Sequence, residues 1–158
     1  MMQIKHLRHL TANTVSTDNC RTVVLVDDEK FYADLLAKLL TQNLECTVHV
    51  FDRPVDALTA LPLLKPSVVV TDYHLPKING LEFIRAATPL LPDAAFILNT
   101  GDNMPDYDDA VGQVPSLKSR LAKPFGWREL AREVIRVWPG ANPPRLRRTT
   151  GGADASLG

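Results

Sequence analysis

The chain has little of what ties a small extracellular domain together. Only two cysteines, Cys20 and Cys46, occur in 158 residues, and neither sits in a CxxC or a Cys/His cluster. That excludes a disulfide framework and gives no sign of a structural zinc site, so both read as free thiols. No apolar run approaches the ~20 residues that a membrane-spanning helix needs. The amino-terminal stretch MMQIKHLRHL also lacks the continuous apolar segment of a secretory signal. The expectation is a cytoplasmic protein with no membrane segment. An excess of one charge is missing too: 18 basic residues balance 18 acidic ones, which excludes a global attraction to nucleic acid or anionic membrane.

What is present is a chain of one-domain length with 45% hydrophobic residues. Residues 1–20 read as a flexible polar extension with a weak helical stripe at Ile4, Leu7 and Leu10, and residues 21–139 as the folded domain. Residues 140–158, rich in Pro, Gly and small side chains, read as a disordered tail whose Arg145, Arg147 and Arg148 serve solubility.

Within the domain, β-branched runs alternate with helical stripes. TVVLVDDE reads as a buried strand, and residues 30–42 as a helix with Phe31, Leu35, Leu36, Leu39 and Leu40 on one face. Strands are expected over 46–51, 67–72, 94–100 and 120–125, and helices over 54–61, 80–87 and 126–138. Between the last two strands, Pro105, Gly112 and Pro115 and four Asp in eight residues leave room for one or two turns between about Pro105 and Val111. Five β/α units with apolar strands imply the α/β class, a doubly wound parallel sheet with helices on both faces.

Such sheets bind ligands outside the carboxyl ends of their strands. Asp27, Asp28 and Glu29 end the first strand, Asp72 the third, Thr100 the fourth, and Lys123 falls in the fifth. Glu29 reads as a helix cap. Three further carboxylates gathered on one edge repel one another unless a cation lies among them, and hard oxygen ligands suit Mg²⁺ (or Mn²⁺). Acids, a metal, one lysine and one hydroxyl make a place to handle a phosphoryl group.

From about Thr22 to Trp138 the chain resembles the receiver domain of bacterial two-component response regulators. The likeness rests on the acidic pair at 27 and 28, TDYHLPKINGLEF around Asp72, NTG at 99–101, and KPF at 123–125. It implies the flavodoxin-like strand order 2-1-3-4-5 and a phosphoprotein whose acceptor is Asp72. It further implies direct Mg²⁺ ligation by Asp28 and Asp72, Asp27 holding the metal's waters, and the backbone carbonyl of His74 as a further ligand. Thr100 is implied to bond the phosphoryl oxygen in the active state, Lys123 to neutralise its charge, and the Lys123–Pro124 bond to be cis. His74 and Asp102 stand at positions facing the phosphoryl pocket in the family, where they can tune the lifetime of the phosphate or simply face solvent. Arg120 stands where the family carries Tyr or Phe, an atypical switch position that reads as lying outward on an exposed edge.

The resemblance implies a sensor histidine kinase or a histidine phosphotransfer protein as donor and an unknown downstream protein as target. With no room for a DNA-binding or other output domain after the receiver, the expectation is a stand-alone phosphorelay switch. It would not be an enzyme beyond self-catalysed phosphoryl transfer and autodephosphorylation. The alternatives are a receiver-fold interaction scaffold with phosphorylation uncoupled from output, or an aspartyl-nucleophile phosphatase, whose DxD signature after the first strand is missing.

Overall fold

The computed structural model describes residues 21–101, 104 and 107–148. Five parallel strands, β1 (Thr22–Val26), β2 (Thr47–Phe51), β3 (Val68–Asp72), β4 (Ala95–Thr100) and β5 (Leu117–Ala122), form one sheet in the order β2-β1-β3-β4-β5. They alternate with α1 (Lys30–Asn43), α2 (Pro54–Leu64), α3 (Gly80–Ala87), α4 (Tyr107–Gln113) and α5 (Trp127–Val137). The three central strands are buried along their whole length, which is why each reads as an unbroken apolar run.

Strand pleating divides the core in two. Val23, Leu25, Val70 and Ile97 meet Leu36 and Leu40 of α1 and Leu130 and Val134 of α5. Val24, Val26, Val69, Phe96 and Leu98 meet Ala57 and Leu61 of α2, Phe83 and Ile84 of α3, and Ala110 of α4. The Asn79 side chain and Glu82 close a reciprocal capping box that starts α3.

Three elements depart from the sequence expectation. In α1, Phe31 is 88% exposed and Leu35 46%, and the buried stripe is Ala33, Leu36 and Leu40. Leu36 and Leu40 belong to the expected face, whereas Phe31 and Leu35 fall outside the buried stripe and Ala33 joins it. The fifth strand lies at Leu117–Ala122, three residues before the expected 120–125, and alternates buried and exposed positions. As an edge strand it carries Lys118 and Arg120 outward, so it has no apolar run to recognise. A register shift between Phe96 and Ile97 accompanies a change of side, with Leu117 toward α3 and α4 and Leu121 toward α1 and α5.

The third departure is the tail. Residues 140–148 fold back along the end of α1 instead of leaving the domain disordered. The Arg145 carbonyl accepts from Glu45 N–H at 2.8 Å, Arg147 N–H donates to the Asn43 carbonyl at 2.7 Å, and Leu146 forms an antiparallel bridge to Leu44. The Arg147 guanidinium donates to the Thr41 and Leu44 carbonyls at 3.0 Å each, covering acceptors at the end of α1 that the helix cannot satisfy itself. Arg21 donates to the Asn142 side chain at 2.7 Å. Cys46 is a free cysteine beneath this strap, and burial pushes its thiol up to about 11. No helix among the described residues is long and apolar enough to cross a membrane.

Candidate functional site

The carboxyl ends of β1, β3 and β5 bring Asp27, Asp72 and Lys123 together. Asp72 closes β3 and Asp27 follows β1, and both are about 95% buried. Lys123 follows β5, and its ammonium donates to Asp72 Oδ2 at 3.0 Å and lies 4.0 Å from Asp27 Oδ2. The two residues beyond the strands are fixed through their backbones: Asp27 N–H donates to the Phe51 carbonyl at 3.0 Å, and Lys123 N–H to the Thr100 carbonyl at 2.9 Å. The Lys123–Pro124 bond is cis, as the resemblance implies.

The carboxylates draw further donors from the loops. Glu29 N–H donates to Asp27 Oδ1 at 2.9 Å, and His74 N–H approaches Asp72 Oδ1 at 3.3 Å. Burial raises the Asp27 pKa and the neighbouring Asp72 charge adds to it, while the Glu29 bond and Lys123 oppose the rise. Burial pulls the Lys123 pKa down, but its hydrogen bond to Asp72 and the charges of Asp72 and Asp27 carry it above the ordinary lysine value.

Asp28 is exposed beside this pair, and one carboxylate oxygen from each of Asp27, Asp28 and Asp72 lies within 4.8 Å of the others. Opposite oxygens in an Mg²⁺ octahedron stand about 4 Å apart, so three hard ligands at this spacing, open to water on the Asp28 side, fit such an ion. They are the only such cluster among the described residues.

Gly80 explains how β3 and α3 come so close. Its N–H donates to the Tyr73 carbonyl at 2.7 Å, and a Cβ there would strike the Asp72 carbonyl, with Leu98 Cδ1 at 2.7 Å and Tyr73 Cα at 2.9 Å. The glycine of KING thus serves the approach of α3 to the Asp72 backbone as well as the turn.

The remaining expected residues fall as follows. Thr100 ends β4, 1% exposed. His74 is exposed with its ring edge-on to Tyr73, centroids 5.0 Å apart. Asp102 lies outside the described residues. Arg120 is exposed on β5, and its guanidinium lies over the Tyr107 ring of α4, 5.2 Å from the centroid. Sequence reasoning did not find that stack, nor the hydroxyl of Tyr32, which donates to the Phe125 carbonyl at 2.9 Å. An aromatic residue one turn after the acidic pair was the available signal.

The fold and the acid–lysine edge define a class, the doubly wound α/β domains that bind at the carboxyl ends of their strands. Residues 23–135 match the response regulator receiver domain family, and the chain belongs to that family, a component of two-component signalling. Receiver domains in general bind Mg²⁺ through an acidic pocket such as the one formed here by Asp27, Asp28 and Asp72. Among curated proteins it is similar to the response regulator receiver protein CpdR of Brucella abortus, 29% identical over 74% of this chain and 96% of that protein. It is also 31% identical to an uncharacterized response regulatory protein of Vibrio cholerae, over 73% of this chain and 48% of that one. A protein-glutamate methylesterase/protein-glutamine glutaminase of Burkholderia thailandensis is 36% identical over 49% of this chain but only 22% of its own length. The chain thus spans less than half the length of these last two relatives. Among solved structures, an uncharacterized protein from Neptuniibacter caesariensis superposes with a TM-score of 0.67 at 28% identity, covering 73% of this chain and 85% of that one. The Vibrio cholerae chemotaxis protein CheY4 gives 0.66 at 21% identity, over 73% and 97%, and speaks for the fold.

Proposed function

We propose that the protein is a phosphoacceptor switch of a two-component phosphorelay. Asp72 takes a phosphoryl group from a phosphohistidine on a sensor histidine kinase or a histidine phosphotransfer protein. The observation that carries this reading is the Asp72 carboxylate, buried at a strand end 3.0 Å from the Lys123 ammonium. One Asp72 oxygen forms a bond to phosphorus as the bond from phosphorus to the donor imidazole nitrogen breaks. The imidazole leaves with the electron pair and takes a proton from solvent.

The transferred group carries charge on its equatorial oxygens, and Lys123, whose ammonium is 3.0 Å from Asp72 Oδ2, would neutralise part of that charge. Asp28 and Asp72 would hold Mg²⁺ directly and Asp27 its waters, with the His74 carbonyl as a further ligand; a bound Mg²⁺ supplies charge stabilisation for in-line transfer. Thr100, at the end of the neighbouring strand, would bond the new phosphoryl group and so bias the loop that follows. His74 and Asp102 would set how readily water reaches the phosphate. Output runs through contact with a downstream protein in the cytoplasm, and the domain's own chemistry stops at accepting and losing the phosphoryl group.

One observation favours a second reading. Arg120 is engaged with Tyr107 on the exposed face of a seven-residue α4, where an inward-swinging aromatic side chain would otherwise couple the site to its surface. A scaffold whose binding ignores phosphorylation would look like this.

Incubation with Mg²⁺ and acetyl phosphate, followed by intact-mass measurement, tests the switch. Wild type should gain one phosphoryl group only when Mg²⁺ is present, and Asp72→Asn none. A folded wild type that gains nothing leaves the scaffold; sustained turnover of a phosphorylated metabolite would point to a phosphatase.

A further inference from the structure

Two loops meet in the acid–lysine site, and one side chain ties them together. Tyr32 lies on α1 four residues after Asp28, and Phe125 lies two residues after Lys123. The Tyr32 hydroxyl donates to the Phe125 carbonyl at 2.9 Å across 93 positions of sequence, and the two rings pack edge to face with centroids 6.3 Å apart. Phe125 is itself buried in the core between α1 and α5, with Leu36, Leu40 and Leu130 in the same cluster. Packing therefore holds the ring of Phe125, and the hydroxyl fixes which way its carbonyl, and with it the peptide chain back to Lys123, is turned.

The lysine loop is also tied at its two ends. Before it, Lys123 N–H is tied to the Thr100 carbonyl at 2.9 Å, and after it, Leu130 N–H is tied to the Gly126 carbonyl at 3.2 Å. Between these, the Tyr32 bond anchors the turn to the element that begins beside the acidic pair. The ammonium has to span from this turn to Asp72 Oδ2, at 3.0 Å, and a small rotation of the turn would end that contact. Burial raises the Tyr32 pKa, while Lys123, Asp27, Glu29 and Glu129 act on the same hydroxyl, so it stays a protonated donor close to the charged cluster.

We propose that Tyr32 is a positioning residue for phosphoryl transfer: its hydroxyl bond to the Phe125 carbonyl sets the reach of the Lys123 ammonium to Asp72. The inference rests on the reading of Asp72 as acceptor, and it concerns a contact made before any phosphate arrives.

Tyr32→Phe removes the hydroxyl and keeps the ring, so the packing with Phe125 survives. Phosphorylation by acetyl phosphate in Mg²⁺ should slow by roughly three- to tenfold, the scale of one neutral hydrogen bond. In a Lys123→Ala background the same substitution should have no further effect, because the lysine it positions is gone. Equal rates for wild type and Tyr32→Phe, or equal slowing in both backgrounds, would overturn the proposal, since a purely structural contribution acts whether or not Lys123 is present. A second arm needs no phosphate. In ¹⁵N-lysine-labelled protein, the Lys123 ammonium held by Asp72 should give a slowly exchanging Nζ–H signal that Tyr32→Phe broadens or removes. An unchanged signal in the variant overturns the positioning role. If wild type takes no phosphate while Tyr32→Phe still loses the signal, Asp72 as acceptor is refuted and the positioning of Lys123 by Tyr32 stands.

Discussion

At the carboxyl edge of the sheet, Asp27 and Lys123 are held by backbone bonds to β2 and β4, Asp72 is paired with Asn99 of β4, and the two aspartates are almost fully buried. On the face made by α4 and β5, Arg120 and Tyr107 meet through a single stack with the guanidinium exposed to water. Burial raises the Asp27 pKa, with the Asp72 charge adding to it, and the gathered carboxylates need a cation among them, so the first region is costly to hold together and is rigidly framed. The second contributes little energy and can be rearranged cheaply. A switch profits from that division, because the group that receives phosphorus must stay in place while the surface that reports it must move.

The sharpest way to break the comparison is to disturb the frame without touching a charge. In Gly80→Ala the new methyl would press on the Asp72 carbonyl, Leu98 and Tyr73 Cα, and the backbone contacts cannot give way as a flexible side-chain end can. A loss of about 1–3 kcal/mol is expected from such overpacking, read from urea unfolding, together with slower phosphorylation. A variant of wild-type stability would mean that α3 can shift away from Asp72 freely, and the rigid frame would be the wrong description.

A charge change comes next. The folded-state pKa of Asp27 stands above its ordinary value of 3.8, mainly because of burial. Such a group adds stability that is fully present below the unfolded-state pKa and is lost as pH rises through the folded one. At neutral pH the Mg²⁺-free protein therefore carries a strained carboxylate, and Asp27→Asn should raise its unfolding midpoint there while weakening its response to Mg²⁺. The gain should vanish as pH falls toward 4. A lower midpoint for Asp27→Asn at pH 7 would show that the contacts with Lys123 and the Glu29 N–H outweigh the desolvation.

The same contrast explains what could be read before any coordinates. Asp27, Asp28, Asp72 and Lys123 were legible because each sits at or near the end of a strand that the sheet delivers to one edge, so topology alone gathers them. β1, β3 and β4 were legible because strands buried on both faces are apolar throughout. β5 was misplaced because its outward residues are charged, and α1 was turned slightly because Phe31 and Leu35 are apolar yet exposed. The strap of residues 140–148 looked like a polar tail, since its order comes from backbone and guanidinium bonds to the end of α1, which composition does not encode. Tyr32 with Phe125 and Tyr107 with Arg120 join residues of different elements, so no local pattern in the sequence shows the pairing.

The smallest expected effect falls on the reporting face and discriminates best between the two readings of function. An exposed guanidinium over an aromatic ring contributes about 0.5–1 kcal/mol, so Arg120→Ala should lower stability by no more than that. Its rate of phosphorylation should equal that of wild type, because Arg120 lies on the α4 side of β5 whereas Lys123 reaches Asp72 from the loop beyond the strand. Backbone amide shifts along residues 107–113 give the decisive measurement, taken with and without phosphorylation. If the stack is the element that phosphorylation rearranges, wild type should show shifts there, and Arg120→Ala should already lie partway toward the phosphorylated positions before any phosphate is added. If the shifts of α4 are the same in both proteins and indifferent to phosphate, the site and this face are uncoupled. Phosphorylation at Asp72 would then be chemistry without a report on this side of the molecule, which is what the scaffold reading requires.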